Sequence, residues 1–341
     1  MNIFTNYLEK MGNNFLVSAM IPSLALVMVS MLVFNPILKT ATLLAPPNGI
    51  YQLIGFGLLL TVPTLIVGYT LTALNTYIIK IFEGYVFLYR FPAFRAAQTR
   101  KARALLIKRE SLKRRIAVVE RRKLKYGGKL DAALNRLKRR YFVVAAEYDN
   151  NYPPSIEDVL PTKFGNVLKA SESYPMSRYG LDGVAFWSRL THVIPPRYQE
   201  SIDSSRNELS FLVNISMLSI VFFALCAIAI VFGPVLTKAS PAQLLLENWI
   251  PYGSAGLIAL VNSWLFYKAS LYSVGDFGIM IRSAYDLFRL DLLKQFHLKA
   301  PVHSADEYQI WDNLNEFIIL GEQSLEFVPL LYDLPENKNE K

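Results

Sequence analysis

The chain has 341 residues and a formal net charge of +9; 52% of its residues are hydrophobic and only 18% are charged. In soluble domains about a quarter of the residues are usually charged, so the low charged fraction excludes an ordinary soluble domain. The high apolar content excludes a disordered chain. The composition indicates an all-α integral membrane protein.

Four long stretches without a charged residue predict four membrane-spanning helices. A charge at the bilayer centre costs about 2.5–3.5 kcal/mol, and a spanning helix needs about 20 residues. The uncharged windows 11–38, 40–79, 209–237 and 248–267 all reach that length. A proline and glycine turn signal at 46–49 shortens the second window. We place the spans at 15–38, 51–75, 209–236 and 249–271.

The distribution of basic residues predicts the orientation of these spans. The two short loops carry one basic residue each, Lys39 and Lys238, whereas six basic residues follow the second span between Lys80 and Arg103. Basic residues near span ends stay on the cytoplasmic side. We therefore expect the N-terminal segment 1–14, the long middle region and the C-terminus in the cytoplasm.

Residues 76–148 are predicted to form a basic helical hairpin. Of the 36 basic residues, 19 lie between Arg90 and Arg140, together with only three acidic ones. Apolar residues recur there every three or four positions, which is typical of an amphipathic helix. The pair Gly127-Gly128 interrupts the pattern and favours a turn, so two antiparallel arms are expected.

Three interpretations of the hairpin remain open. Its charges either surround a solvated coiled coil, contact anionic lipid headgroups, or bind an acidic partner. Nucleic acid is a less favoured acidic partner, because the basic run contains few aromatic residues that could stack on bases. The candidate anion or lipid contacts are Arg100, Lys101, Arg103, Lys108, Arg109, Lys113, Arg114, Arg115, Arg121, Arg122 and Lys123.

The remaining cytoplasmic segments are predicted to be folded as a helical collar. The connector 149–208 is rich in proline and glycine, and Thr162 is expected to be the N-cap of a helix from Lys163. C-terminal helices are predicted over 272–334, where Ser304 and Glu307 form a capping-box pattern. The polar tail 335–341 has nothing to bury and is expected to be disordered.

No residue pattern typical of catalysis or metal binding is present. The single cysteine, Cys226, lies within the third span, and the three histidines are scattered along the chain. We therefore predict no catalytic residue, no metal and no cofactor, and expect that the protein is not an enzyme. The predicted spans also contain no Asp, Glu, His or Arg, the residues that coupled transporters generally keep within the membrane as proton or ion relays.

Hydroxyl and amide side chains are the polar groups of the spans. Hydrogen bonding between helices is one explanation. The other is the polar lining of a pore around an axis shared by several copies, because four helices alone enclose little space. The candidate lining residues are Thr61, Thr64, Thr72, Asn75 and Asn262, and this interpretation requires a homo-oligomer.

Several sequence blocks resemble those of an uncharacterised family of bacterial membrane proteins. They are Leu74-Asn75-Thr76 with Glu83-Gly84-Tyr85, the stretch from Leu160 to Leu168 with Tyr179-Gly180-Leu181-Asp182, and Ala284-Tyr285-Asp286-Leu287-Phe288-Arg289. The resemblance implies a multi-pass protein of the bacterial inner membrane and no particular activity. Within the collar, these blocks either pack beneath the membrane helices or line a pocket for a small ligand or partner.

Two functional hypotheses follow. The first is a non-enzymatic membrane scaffold or sensor that presents the basic hairpin to an acidic protein partner or to anionic lipid. The alternative is an oligomeric channel or membrane-disrupting effector with a polar lining from the second span.

Overall fold

The computed structural model describes residues 15–34, 50–126, 130–237, 245–320 and Tyr332. These residues are helical apart from short connections, and they contain no strand; an isolated backbone bridge pairs Leu298 with Tyr332. The predicted turn at 46–49, the glycine tip of the hairpin and the tail 335–341 lie outside the described residues.

The described helices are labelled in chain order. A π-helical turn opens α1, 3-10 turns occupy Leu88–Arg90 and Ile156–Asp158, and π-helical turns occupy Leu245–Trp249 and Glu316–Leu320. The helices are α1 Leu16–Val33, α2 Ile50–Glu83, α3 Pro92–Tyr126, α4 Asp131–Asn151, α5 Lys163–Glu172, α6 Tyr174–Tyr179, α7 Trp187–Leu190, α8 Pro196–Thr237, α9 Ile250–Gln295 and α10 Ser304–Asn315.

Three of the described helical segments are long and apolar enough to cross a membrane: Leu16–Val33, Ile54–Arg90 and Pro196–Phe232. They identify the chain as a membrane protein by length and composition. Helix α9, which contains the predicted fourth span, is not among them. Its first part contains glycine, serine and asparagine at positions 253, 254, 256, 262 and 263, which lower its mean hydropathy.

The chain divides into two compact units. Met1–Lys80 with Ser204–Ser273 form one, here called the membrane unit, and Ile81–Asp203 with Val274–Lys341 form the other, here called the hairpin unit. The divisions fall within α2, α8 and α9, so each of these helices contributes residues to both units.

The membrane unit is held together by close helix packing and by hydrogen bonds between helices. Phe222, Cys226 and Tyr252 form a buried cluster to which α8 and α9 contribute. Ser216 donates to the carbonyl of Ser263 at 3.0 Å, and the Asn262 amide donates to the Ser219 hydroxyl at 2.8 Å. Such bonds replace water for polar groups in an apolar environment.

The hairpin unit has an aromatic core. Trp311 of α10 and Phe186 are fully buried and meet edge to face at a centroid distance of 5.7 Å. Phe296 contacts the same Phe186 ring at 6.2 Å. These rings fix α10 and the end of α9 to the connector, because large aromatic side chains dominate the free energy of burial.

The N-terminus of α10 differs from its predicted capping pattern. The N-cap residue is His303, and its backbone N–H donates to Asp306 at 3.2 Å, so the capping box begins one residue earlier than Ser304. Glu307 instead accepts from Arg289 of α9 at 2.7 Å. By contrast, the predicted N-cap of α5 is confirmed, since the Thr162 hydroxyl accepts from the N–H of Gly165 at 2.9 Å.

Candidate functional site

Helices α3 and α4 lie side by side and run antiparallel, as their ion pairs demonstrate. Arg109 pairs with Asp149 at 3.0 Å and Lys138 pairs with Glu120 at 2.8 Å. Nearer the tip, Lys123 pairs with Asp131 at 2.6 Å. Since residue numbers rise along α3 as they fall along α4, the two helices are the arms of the predicted hairpin.

An apolar seam closes the base of the hairpin. Ala102 of α3, Tyr148 of α4 and Val159 of the connector form a buried cluster, completed by Tyr152. The Tyr148 hydroxyl donates to the Pro153 carbonyl at 3.0 Å, which satisfies its buried polar end. The arms are therefore positioned by burial at the base and by charge pairing along their length.

The candidate basic residues fall into two groups. Arg109 and Lys123 are half-buried and engaged in the ion pairs between the arms, and Arg114 pairs with Glu110 of its own helix at 3.4 Å. The others are exposed and have no carboxylate within ion-pair distance among the described residues. They are Arg100, Lys101, Arg103, Lys108, Lys113, Arg115, Arg121 and Arg122.

Bulky apolar side chains are exposed among these free basic residues. Ile107 is 70% exposed and Val118 is 48% exposed on the outer face of α3. They share that face with Arg100, Arg103 and Arg121, because positions 100, 103, 107, 114, 118 and 121 follow helical spacing. On α4, Phe142 and Val143 are 66% and 67% exposed. The outer surface of the hairpin thus combines positive charge with apolar side chains.

Two of the sequence blocks meet where α2 ends. Gly165 of α5 lies so close to Glu83 that an added Cβ would be 2.5 Å from the Glu83 carbonyl oxygen. The Thr162 hydroxyl lies 2.7 Å from the Phe82 carbonyl oxygen and 2.9 Å from that of Glu83, and can donate to either. Gly84 adopts φ +95°, where a side chain would be strained.

Asn166 organises the loop that precedes α5. Its side chain is fully buried, accepts from the N–H of Leu160 at 2.7 Å, and donates to the carbonyls of Leu160 at 2.9 Å and Thr162 at 2.7 Å. Because all of these groups are satisfied within the protein, the block from Leu160 to Leu168 acts as a structural clamp on the end of α2.

A second pair of blocks meets between α6 and α9. The hydroxyls of Tyr179 and Tyr174 donate to the Asp286 carboxylate at 2.6 and 3.0 Å. The Arg289 guanidinium lies 4.0 Å from the centroid of the Tyr179 ring and pairs with Glu307, whose side chain is 11% exposed. Burial first, and then the hydrogen bond to Asp286, raises the pKa of Tyr179, so this phenol stays a hydrogen-bond donor at neutral pH.

Arg282 extends this network to the end of the hairpin. Its guanidinium donates to the Asn150 side chain at 2.6 Å and to the Asp149 carbonyl at 2.9 Å, in the last turn of α4. Burial lowers the pKa of Arg282, although arginine remains charged at neutral pH. A cation at a helix C-terminus satisfies free carbonyls and stabilises the helix dipole.

The candidate pore-lining residues are dispersed. Thr64 is buried and donates to the Leu60 carbonyl of its own helix at 2.7 Å, while Thr61 and Thr72 are exposed on α2. Asn75 is half-buried, and its side-chain oxygen has no hydrogen-bond partner among the described residues. Asn262 contributes instead to an apolar cavity of about 330 Å³ lined by α1, α8 and α9.

A cleft at the base of the hairpin was not foreseen from the sequence. It measures about 520 Å³, and its lining includes Lys101 and Lys108 of α3 together with Lys163, the first residue of α5. Lys163 is 62 positions away from Lys101 in sequence, and only the fold of the connector brings the two to one cavity.

Comparison with known proteins gives no match. No protein-family model, no curated protein and no solved structure is similar to the chain.

Proposed function

We propose that the protein is a non-enzymatic membrane scaffold or sensor whose basic hairpin contacts the anionic headgroups of the cytoplasmic leaflet. In this proposal four helices anchor the chain, the fourth span being the uncharged first part of α9. Both termini and the collar formed by the connector and C-terminal helices are cytoplasmic. The proposed inner-membrane location rests on the family resemblance and on the basic residues that follow the second span.

The proposal rests on the ion pairs that the acidic residues of the basic run form. The acidic residues between positions 90 and 140 are Glu110, Glu120 and Asp131, and each of them forms an ion pair within the hairpin. Apart from Arg114, which pairs with Glu110, the basic residues on the outer face of α3 have no such partner in the described part of the chain. An external anionic surface would supply the missing counter-charge.

Exposed apolar side chains favour lipid over a soluble acidic partner. Ile107 and Val118 are bulky, and they lie between arginines on the outer face of α3. Helices that bind the membrane interface combine basic residues with apolar side chains that enter the headgroup region. Each basic residue near an anionic surface contributes about 1 kcal/mol. Three outer arginines should thus change surface association by about 100-fold.

The test uses the full-length protein reconstituted into vesicles of neutral or anionic lipid. An environment-sensitive dye is attached at Ile107→Cys in a Cys226→Ser background. We expect a blue shift of its emission in anionic vesicles that is lost at high salt. The shift should also be lost when Arg100, Arg103 and Arg121 are changed to Gln.

The matched control removes the same charge elsewhere. Arg178, Arg197 and Lys299 are exposed and lie outside the hairpin, so their replacement by Gln should leave the blue shift intact. Identical emission in neutral and anionic vesicles would refute the lipid contact. A shift that appears only on addition of a soluble acidic protein would replace it with the partner interpretation.

The exposed hydroxyls of α2 favour a second candidate, an oligomeric channel. Thr61 and Thr72 are exposed on an apolar helix, and the Asn75 side-chain oxygen is buried without a described partner. Neighbouring copies could place these groups around a common axis. Single-channel currents in planar bilayers should then vanish when Thr61, Thr72 and Asn75 are replaced by Val, Val and Leu. The absence of currents from the unmodified protein would eliminate this candidate.

A further inference from the structure

The cleft of about 520 Å³ at the base of the hairpin has the size of a small-molecule site. Such sites usually measure about 300–1,000 Å³. Its walls are the N-terminal half of α3, the last turn of α4 and the start of α5, all of which belong to the hairpin unit. Lys101, Lys108 and Lys163 approach it from different positions on these walls.

The cleft has a surplus of positive charge. Its lining contains these three lysines and a single carboxylate, that of Glu147. In the described part of the chain, none of the three ammonium groups has a carboxylate within ion-pair distance. The acidic residues nearby on the hairpin are used elsewhere, as in the pair of Asp149 with Arg109.

The lysines are spaced for a ligand with more than one anionic group. Lys101 and Lys108 are seven residues apart on one face of α3, so their backbones are separated by about 10 Å along the helix. Lys163 enters from the neighbouring α5. Ammonium groups on flexible side chains can close on phosphates at either end of such a ligand.

Neutral polar groups complete the lining. Tyr152 is buried, and its hydroxyl donates to the side-chain oxygen of Gln98 at 3.4 Å, which leaves the Gln98 amide N–H groups available as donors. Burial first, and then the charge of Glu147, raises the pKa of Tyr152, so the phenol is uncharged at neutral pH and does not repel an anion.

We propose that this cleft binds a ligand carrying at least two phosphate groups. Lys101 and Lys108 hold its two ends and Lys163 contacts the phosphate nearest to α5. The phosphates belong either to a soluble phosphate ester or to a phospholipid headgroup. This inference goes beyond the proposed function, because the cleft residues are distinct from the outer arginines of α3.

The first arm of the test is calorimetric titration of the full-length protein in neutral detergent with ATP, pyrophosphate or inorganic phosphate. We expect saturable binding of ATP or pyrophosphate that is tighter than binding of inorganic phosphate. Replacing Lys101 and Lys108 together by Gln should weaken it at least 30-fold, and Lys163→Gln should weaken it at least fivefold.

The matched control is a double variant farther along the same helix, at two positions that do not line the cleft. Lys113 and Arg115 are exposed and have no described ion-pair partner, so Lys113→Gln with Arg115→Gln should change the affinity less than twofold. An equal loss in the control and cleft variants would mean diffuse attraction to the hairpin and would overturn the proposal. Thermal unfolding of each variant confirms that the comparison is made between folded proteins.

The second arm distinguishes the lipid source. The protein is placed in nanodiscs with and without a lipid whose headgroup carries two phosphates, and lipid retention after purification is measured by native mass spectrometry. Retention lost in the Lys101 and Lys108 variant, without binding of soluble phosphates, would assign the cleft to a headgroup. Binding in neither arm would overturn the proposal.

Failure of this inference and failure of the proposed function give different results. The triple Gln variant at Arg100, Arg103 and Arg121 should keep phosphate affinity but lose the dye response at position 107. The Lys163→Gln variant should lose phosphate affinity but keep the dye response at position 107.

Discussion

Replacing Gly165 by Ala tests the clamp between α5 and the end of α2. The new Cβ would lie 2.5 Å from the Glu83 carbonyl oxygen and 2.9 Å from both the Glu83 Cα and the Leu160 Cδ1. Two of these three atoms are backbone, so the helices must separate. Overpacking of this kind costs about 1–3 kcal/mol. Weakening the hydrogen bond from Thr162 adds about 1 kcal/mol.

The helix propensity of Ala offsets part of this cost. Ala is favoured over Gly within a helix by about 1 kcal/mol, so the net loss is about 1–3 kcal/mol. For a unit of this size, each kcal/mol shifts Tm by about 2–4 °C. We therefore expect Gly165→Ala to lower the Tm of the hairpin unit by about 2–12 °C.

The measurement is thermal unfolding in detergent, followed by the fluorescence of Trp187 and Trp311, which belong to the hairpin unit. Gly275→Ala is the matched control, because Gly275 lies within α9 and an added Cβ would have nothing within 4 Å. It should raise Tm, since only the propensity gain applies. Equal shifts in the two variants, or a stabilised Gly165→Ala protein, would refute the close approach of α5 to Glu83.

Three further changes probe the hairpin unit by the same thermal measurement. Asn166→Ala should cost about 2–4 kcal/mol, because the N–H and carbonyl of Leu160 lose their buried partner; a change in Tm below 2 °C would contradict this. Burial raises the pKa of Glu172, so its charged form destabilises the fold. Below the unfolded pKa of about 4.5, the stabilising contribution of this carboxyl is fully present. The contribution is lost as the pH rises through the higher pKa of the folded state. Glu172→Gln should therefore raise Tm at pH 7 and have no effect near pH 4; a lower Tm at pH 7 would be inconsistent with that sign. Glu307→Gln should cost about 3 kcal/mol by leaving the guanidinium of Arg289 unpaired, whereas replacing both residues by Met should cost less; equal losses in the single and double variants would exclude this coupling.

The general helical fold can be predicted from the sequence because the residue patterns that indicate helices are local. Long uncharged stretches predicted apolar helices, and three described helices meet that criterion. Thr162 before Lys163 predicted a helix start, since the capping hydrogen bond joins residues only three positions apart.

The candidate sites are harder to predict from the sequence, because they are formed by residues that lie far apart along the chain. The bond from Tyr179 to Asp286 spans 107 positions, and no local pattern indicates which carboxylate a tyrosine will meet. Lys163 reaches the cleft through the path of the connector. The local pattern of Ser304 and Glu307 predicts the start of α10 one residue late, because Glu307 pairs with the distant Arg289 and Asp306 completes the capping box instead.

The acidic residues of the hairpin also determine how its arms align. Arg109 lies opposite Asp149 and Glu120 opposite Lys138, and both pairs fit one alignment. A slip of one helical turn toward the start of α3 would place Asp149 opposite the apolar Leu105 instead of a basic residue. Exposed ion pairs contribute little to stability, yet such misplacement is costly. A few carboxylates thus select one arrangement of two arms that would otherwise repel each other in every alignment.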